Sequence, residues 1–333
     1  MSSMISPEKD DSLRFTIQIV AWNNGMQLVD CLRSVLASSH ASFEVLVLDN
    51  ASPQDELAFV RAHVGDDPRL VCRRSPENLY FAGGHNHISM EARGEFLILL
   101  NPDTVVDADW LERFDDLDAA SRVEIGQLEL LRFEPRDEPQ TRGIFLDRCG
   151  FVKQVMSVSP GRERKRILGA NGAALVIRAQ LWRSLGGFDD SFDMYFEETD
   201  LCWRAARQGT GAEFLPGPVV RHIEGGSHGR TKKGFARSQF LFARNRIWSL
   251  VKNLDGLELV WLFPLHLLLC PVVALRFFLT DGWGKGWAML VAPFASVPGW
   301  RRAFKSRRRA TCGNRYLVRA GMIRKEILGI PLP

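Results

Sequence analysis

The 333-residue sequence lacks the cysteine spacings that build zinc sites or disulfide frameworks. Its six cysteines, Cys31, Cys72, Cys149, Cys202, Cys270 and Cys312, are scattered, with no CxxC and no Cys/His pairing. They read as reduced thiols of an intracellular protein. No basic segment followed by an apolar one opens the chain: MSSMISPEKDDSLRF carries acids and a proline, so no secretory signal is expected and the body of the protein is expected in the cytosol. No GxGxxG follows the first apolar run and no GxxxxGK[ST] occurs anywhere, so any nucleotide would be held without a dinucleotide fingerprint or a P-loop. Charge of one sign is also scarce, with a net of only +4. The excess concentrates in WRRAFKSRRRA (300–310), which lacks the interleaved aromatics of a nucleic-acid reader, so nucleic acid is not an expected partner.

What is present is ordinary globular material, 46% hydrophobic and 25% charged, long enough for one large α/β domain with an appendage. FTIQIVAW (15–22) is a β-rich apolar run, and MQLVDCLRSVLAS (26–38) follows with Leu28, Cys31, Leu32, Val35 and Leu36 at helical spacing. FEVLVLDN (43–50) repeats the strand pattern, and the turn after it leads into a helix with Pro53 expected near its first position. LVCRRS and FLILL supply two more strands, with the glycine-bearing NLYFAGGHNHISMEA between them. Strands separated by helices predict a mostly parallel, Rossmann-like sheet with helices on both faces. Ligands of such sheets bind beyond the carboxyl ends of the strands. Those ends carry Trp22-Asn23-Asn24-Gly25, Asp49-Asn50-Ala51-Ser52 and Asn101-Pro102-Asp103-Thr104. Each piece alone is also a good turn former or helix cap; their convergence on one edge favours a binding role.

Two further stretches stand out. MYFEETDLCWR (194–204) crowds Glu197, Glu198 and Asp200 at the start of a helix, a placement that the positive end of the helix dipole and an Asp200–Arg204 pair would explain structurally. Near the C-terminus, LELVWLFPLHLLLCPVVALRFFL (257–279) and WAMLVAPFASVPGW (287–300) are apolar. The first is long enough to cross a bilayer, yet Glu258, His266, Arg276 and two prolines interrupt it, which favours helices lying in the membrane interface over a span. A helical pair packed on the catalytic domain is the other reading.

The ordered set VAWNNG, VLDNAS, NLYFAGGHN, LLNPDT, NGAALVIRAQLW, GGFDDSFDMYFEETDLCWRAARQG and VRHIEGGS resembles the family 2 glycosyltransferases of GT-A fold, in particular their rhamnosyltransferase-like branch. The resemblance runs from about Phe15 to about Asn253. It implies a catalytic domain over 14–255, preceded by a flexible N-terminus (1–13) and followed by a membrane-associating helical extension (256–333). It also implies an inverting transfer, in which an acceptor hydroxyl displaces the diphosphate from a nucleotide-diphosphate sugar.

By motif match, Asp49 reads the nucleobase beside the Ala21-Trp22 backbone, and Asn78, Gly83 and Asn86 form a loop over nucleotide and sugar. Asn101 replaces the first acid of a DxD-type motif whose second acid is Asp103. With His222, Asp103 would ligate Mn²⁺ or Mg²⁺. Glu198 takes the base position and Glu197 stands beside it; glutamate in place of the usual aspartate adds roughly 1.5 Å of reach. Asp189 and Asp193 border the acceptor or are turn residues. Arg244 steadies the diphosphate, or else belongs to a solvated basic face with Arg237 and Lys252. The implied acceptor is a lipid-linked or polysaccharide glycan of the bacterial cell surface, with the enzyme peripheral on the inner membrane face. A catalytically silent nucleotide-sugar-binding scaffold is the alternative; a nucleotidyltransferase would need a glycine-rich Arg-Lys signature that is missing.

Overall fold

A computed structural model describes residues 13–154, 165–223, 232–280, 282–307, 311–328 and 330–331. The segment 1–12, the EGGS of VRHIEGGS and the last arginines of the basic run lie outside the described residues. Along the chain come β1 (Phe15–Ala21), α1 (Met26–Leu36), β2 (Phe43–Asp49), α2 (Glu56–Val64), β3 (Leu70–Arg74), α3 (Tyr80–Ile88), β4 (Phe96–Leu100), β5 (Thr104–Val106), α4 (Trp110–Ala120) and β6 (Ile125–Arg132). Short strands β7 (Pro139–Thr141), β8 (Ile144–Asp147), β9 (Val152–Gln154) and β10 (Lys165–Ile167) precede β11 (Ala174–Arg178), α5 (Ala179–Leu185), α6 (Glu197–Arg207) and β12 (Ala212–His222). Helices α7 (Lys232–Asn253), α8 (Gly256–Thr280), α9 (Trp283–Lys305) and α10 (Asn314–Arg319) then lead to β13 (Ile323–Arg324).

The chain forms two compact units, one drawn from Met1–Glu138, Gly172–Gly187 and Leu215–Glu224, the other from the remainder. In the first unit, β3, β2, β1 and β4 pair in parallel, with Ala21 beside Asp49 and Ile19 beside Leu100. All four carboxyl ends therefore finish on one edge. Beyond β4 the sheet turns antiparallel through β11 and β6 to β12, whose last residues pair with β5. On one face, Phe15, Ile17 and Ile19 of β1 bury against Leu28, Leu32 and Val35 of α1 and against Trp110 and Phe114 of α4. On the opposite face of β1, Thr16 and Gln18 are polar but also buried: Thr16 donates to Glu44 (2.7 Å), and Gln18 meets His85 of α3. Burial on both faces explains why β2 reads as a continuous apolar run rather than an alternating one.

Two local expectations shift. Asp55, not Pro53, opens α2: its carboxylate accepts from the Ala58 amide at 2.9 Å, satisfying one of the helix's free N–H groups. Gly83 and Asn86 do not sit in a loop but inside α3. The reason is packing: a side chain at the neighbouring Gly84 would lie 2.8 Å from Val20, so glycine lets α3 rest directly on β1.

In the second unit, β8 pairs with β9 and with β13, and β10 pairs with the Ala212–Phe214 start of β12. Its core joins Trp203 of α6 and Ile247, Trp248 and Leu250 of α7 with Phe263 of α8 and Ala292 of α9. Helices α8 and α9 continue through their internal prolines, Pro264, Pro271, Pro293 and Pro298.

Among the described glycines of the first unit, the tightest approach to backbone is at Gly94, where an added Cβ would stand 2.4 Å from the Thr16 amide nitrogen. Gly94→Ala is expected to lower stability by about 1–3 kcal/mol, seen as a lower urea midpoint with an unchanged slope.

Candidate active site

In the first unit, the shared edge of β1, β2 and β4 is organised by side chains that knit its loops together. Glu56, buried at the start of α2, accepts from the amides of Asn24 (2.6 Å) and Gly25 (2.7 Å) and from the Ser52 hydroxyl (2.7 Å). Ser52 Oγ in turn accepts from the Asn23 amide at 2.9 Å. The loops after β1 and β2 are thereby fixed to each other, with Asn23 and Ala51 both held at positive φ. Asn50 reaches the next loop, accepting from the Leu79 amide and donating to Tyr80 O, and Asn78 Oδ1 accepts from Tyr80 N.

Asp49 is fully buried. One oxygen accepts from the Ser52 amide at 2.9 Å. The other lies 2.9 Å from Arg74 as an ion pair but has no hydrogen-bonded donor. A buried carboxylate oxygen with unused acceptor capacity suits a ligand N–H, such as that of a nucleobase.

At the end of β4, the antiparallel pairing of β12 with β5 sets His222 opposite Thr104. His222 Nε2 then lies 3.1 Å from Asp103 Oδ1 and 3.3 Å from Asn101 Nδ2. One nitrogen thus faces a carboxylate acceptor and an amide donor at once. A cation taking the Nε2 lone pair and the Asp103 carboxylate would relieve that conflict, so this pair fits a divalent ion shared with diphosphate oxygens. Among the described residues, no cluster of three or more His, Cys, Asp or Glu stands ready to hold a metal by itself.

In the second unit, the approach to α6 is strained: Asp193, Tyr195 and Phe196 all have positive φ, at 61°, 70° and 78°. Asn245 of α7 clamps this stretch, its fully buried amide donating to Phe192 O (2.7 Å), Met194 O (2.9 Å) and Tyr195 O (2.8 Å). Glu197 and Glu198 follow at once. Each has one carboxylate oxygen that is buried and without a hydrogen-bond partner. Burial raises both acids: Glu198 is pushed up to about 7, and Glu197 is raised well above its ordinary range, with the Glu198 charge adding to the effect. Asp200, one turn on, meets the opposite fate. Burial works against its charge, but Lys252 Nζ (2.7 Å) and Arg204 Nε (2.8 Å) override that and hold it below the usual carboxylate range. Asp189 shares Lys252 (2.8 Å) and is held at about 2 despite its own burial. Arg244 pairs with Asp193 (3.4 Å) and lies over the Trp248 ring.

The comparisons with known proteins now have a setting. Residues 16–125 match the model of Glycosyl transferase family 2. Among curated relatives, the O-antigen biosynthesis protein RfbC of Myxococcus xanthus is 29% identical over 55% of this chain and 15% of its own length. The low-salt glycan biosynthesis hexosyltransferase Agl10 of Haloferax volcanii is 26% identical over 50% of this chain and 54% of its own. The chain therefore spans about half or less of the curated relatives it matches. Among solved structures, the mannosyltransferase PcManGT of Pyrobaculum calidifontis, in complex with GDP-Man and Mn²⁺, superposes with a TM-score of 0.56 at 16% identity, covering 96% of this chain and 88% of that one. S. aureus TarS 1-349 in complex with UDP-GlcNAc gives 0.52 at 14% identity, covering 88% and 91%. These likenesses establish a GT-A-like α/β fold, with a mixed, mostly parallel sheet flanked by helices and a C-terminal helical region.

The family 2 match encloses Ala21, Trp22, Asp49, Asn78, Gly83, Asn86, Asn101 and Asp103. The structure gathers Trp22, Asp49 and Asn78 through linked loops, and Asn101 and Asp103 around His222. Glu197, Glu198, Asp189, Asp193 and Arg244 form a second group, arranged on α6 and α7 and the loop between α5 and α6. Two residues escaped the sequence reading. Glu56 looked like an ordinary first-turn acid, and Lys252 looked like part of a solvated face; the structure buries both as hubs of hydrogen bonds.

An acid whose pKa is higher folded than unfolded favours the folded state while protonated and costs stability once ionised. For Glu198 that cost is absent below its ordinary value of 4.5, grows as pH rises, and is complete above about 7. Glu198→Gln is therefore expected to raise the thermal midpoint at pH 8 and to leave it nearly unchanged at pH 4.5; equal effects at both would contradict the burial-raised carboxyl.

Proposed function

We propose that the protein is an inverting, metal-dependent glycosyltransferase that moves a sugar from a nucleotide-diphosphate sugar to a hydroxyl of a lipid-linked or polysaccharide acceptor. The observation that carries this reading is Glu198, a carboxylate with an unpartnered oxygen, raised to about 7 and set at the head of α6 by a clamped, strained loop. A general base works best when its pKa lies near the working pH, and Glu198 meets that condition. Its task would be to take the proton of the acceptor hydroxyl as that oxygen attacks the anomeric carbon. Glu197, raised as well by burial and by the Glu198 charge, stands beside it, and their repulsion favours a single negative charge on the pair.

The other roles fall to the first unit. Asp49 would receive a nucleobase N–H, and the loops stitched by Glu56 and Asn50 would hold the nucleotide backbone. Asp103 and His222 would hold Mn²⁺ or Mg²⁺, which supplies charge neutralisation for the departing diphosphate. The names of RfbC and Agl10 support a place in cell-surface glycan assembly. Rhamnose as the donor sugar rests on the motif resemblance to the rhamnosyltransferase-like branch. A site on the cytoplasmic side, where nucleotide-sugars are made, fits these substrates.

The test is nucleoside diphosphate release from a panel of nucleotide-sugars with Mn²⁺ or Mg²⁺. Glu198→Gln should lower kcat by about 10²–10⁴-fold, and the wild type should show an acid limb in kcat/KM near pH 7. Asp103→Ala with His222→Ala should raise the metal concentration required. Binding of nucleotide-sugars without release from any of them would instead identify a silent scaffold.

A further inference from the structure

Helix α8 is turned inside out relative to a helix of a water-soluble protein. Its exposed stripe, Leu257, Trp261, Pro264, Leu268, Val272, Leu275 and Leu279, recurs every three to four residues and is apolar. Its mid-helix histidine faces inward: His266 is fully buried, and its ring lies 2.6 Å from Cys149 O and stacks on Phe151. Only 28% of its most apolar stretch is buried, at a mean hydropathy of 2.0. Helix α9 extends the same surface with Trp283, Trp287, Val291 and Phe294, all exposed. Inward it shows small residues. Gly286 lies against Phe278 of α8 and Gly299 against Trp248 of α7, each so close that an added Cβ would stand about 2.5 Å or less from the ring. The two helices run antiparallel, as the Phe263–Trp300 and Phe278–Trp283 ring contacts require.

We propose that this outer face of α8 and α9 docks in the interfacial layer of an anionic lipid bilayer, lying in its plane and not crossing it. The choice of lipid over a soluble partner rests on the composition of the rim. Trp261 stands at one end of the hairpin and Trp283 and Trp287 at the other, where amphipathic rings suit the headgroup layer. Arg276, Arg301, Arg302 and Lys305 are exposed along the helices. Among the described residues of both helices the one acid is Glu258, already engaged by Arg148 and Asn314. An apolar stripe bordered by cations without anions complements an anionic leaflet.

The choice of lying over crossing rests on the inner face. The hydrogen bond of His266 to the β8–β9 turn, the packing of Cys270 and Val273 on Cys149 and Phe151, and the Arg246–Met289 contact join the hairpin to the rest of its unit along its length. A helix surrounded by lipid would have to abandon all of these.

The inference is independent of the transferase reading. The experiment is co-flotation of the purified full chain with vesicles of phosphatidylglycerol and phosphatidylcholine, against vesicles of phosphatidylcholine alone. Binding to the anionic vesicles, weakened by salt and reversed by alkaline carbonate, is the expected result. The pair Trp287→Glu with Phe294→Glu should lower partitioning about a hundredfold. Because both side chains point outward, the pair should leave the thermal midpoint and any nucleotide-sugar turnover in solution as in the wild type. Three results would overturn the proposal: no flotation of the wild type, a stable dimer that the same pair dissolves, or retention in carbonate-washed membranes as a spanning helix would show. Absence of turnover in the wild type, with flotation intact, would count against the transferase and leave this surface standing.

Discussion

Asp200 is the anchor of the second unit. Its carboxylate is fully buried, and a buried charge is tolerated only with partners; here Lys252, Arg204 and the Asn253 amide all converge on it. Two of those partners sit on α7, so the bond that neutralises Asp200 also fixes α6 against α7. Glu197 and Glu198 lie less than one turn upstream on the same helix and receive no such donors. Carboxylates two or three residues apart thus have their proton affinities driven in opposite directions by their surroundings, the pattern by which acid and base duties are divided within one site. Asn245 completes the arrangement by holding the carbonyls of Phe192, Met194 and Tyr195, in a stretch where Asp193, Tyr195 and Phe196 take conformations that side-chain-bearing residues rarely adopt.

The first unit uses a comparable economy. Parallel strands deliver their carboxyl ends to one edge, but parallel pairing alone leaves the loops beyond them free to wander. Glu56, Ser52 and Asn50 remove that freedom by satisfying backbone amides of neighbouring loops, so the edge becomes a set of fixed donors and acceptors. The Asp49 oxygen that faces Arg74 is informative against this background because it is buried yet keeps acceptor capacity for a further donor.

Much of this was legible in the sequence, for identifiable reasons. Strands β1 to β4 were visible as apolar runs between turn formers, and their alternation with helical periods fixed the parallel half of the sheet. The pairing of His222 with Asp103 was foreshadowed by motif order, although the residues are far apart in the chain. The antiparallel strands β6 and β12 were not assigned, because β-rich segments separated by long connections carry no period that says which neighbour they will join. Gly83 and Asn86 were read as loop residues by motif match; here the glycine pair lies within α3, and Gly84 serves close contact of that helix with β1. The burial of Lys252 was illegible because a helix period tells which residues share a face but not what covers that face.

One flank of helix α7 is covered by the C-terminal hairpin. Trp248 fits the notch left by Gly299, its indole nitrogen donates to Ser296 O, and Arg307 reaches back to carbonyls of α7. A shortened chain ending before α8 would therefore uncover the hydrophobic flank of the very helix that carries Asn245 and Lys252. Anyone wishing to work with this protein in dilute buffer would do better to repaint the outer stripe residue by residue than to cut the gene.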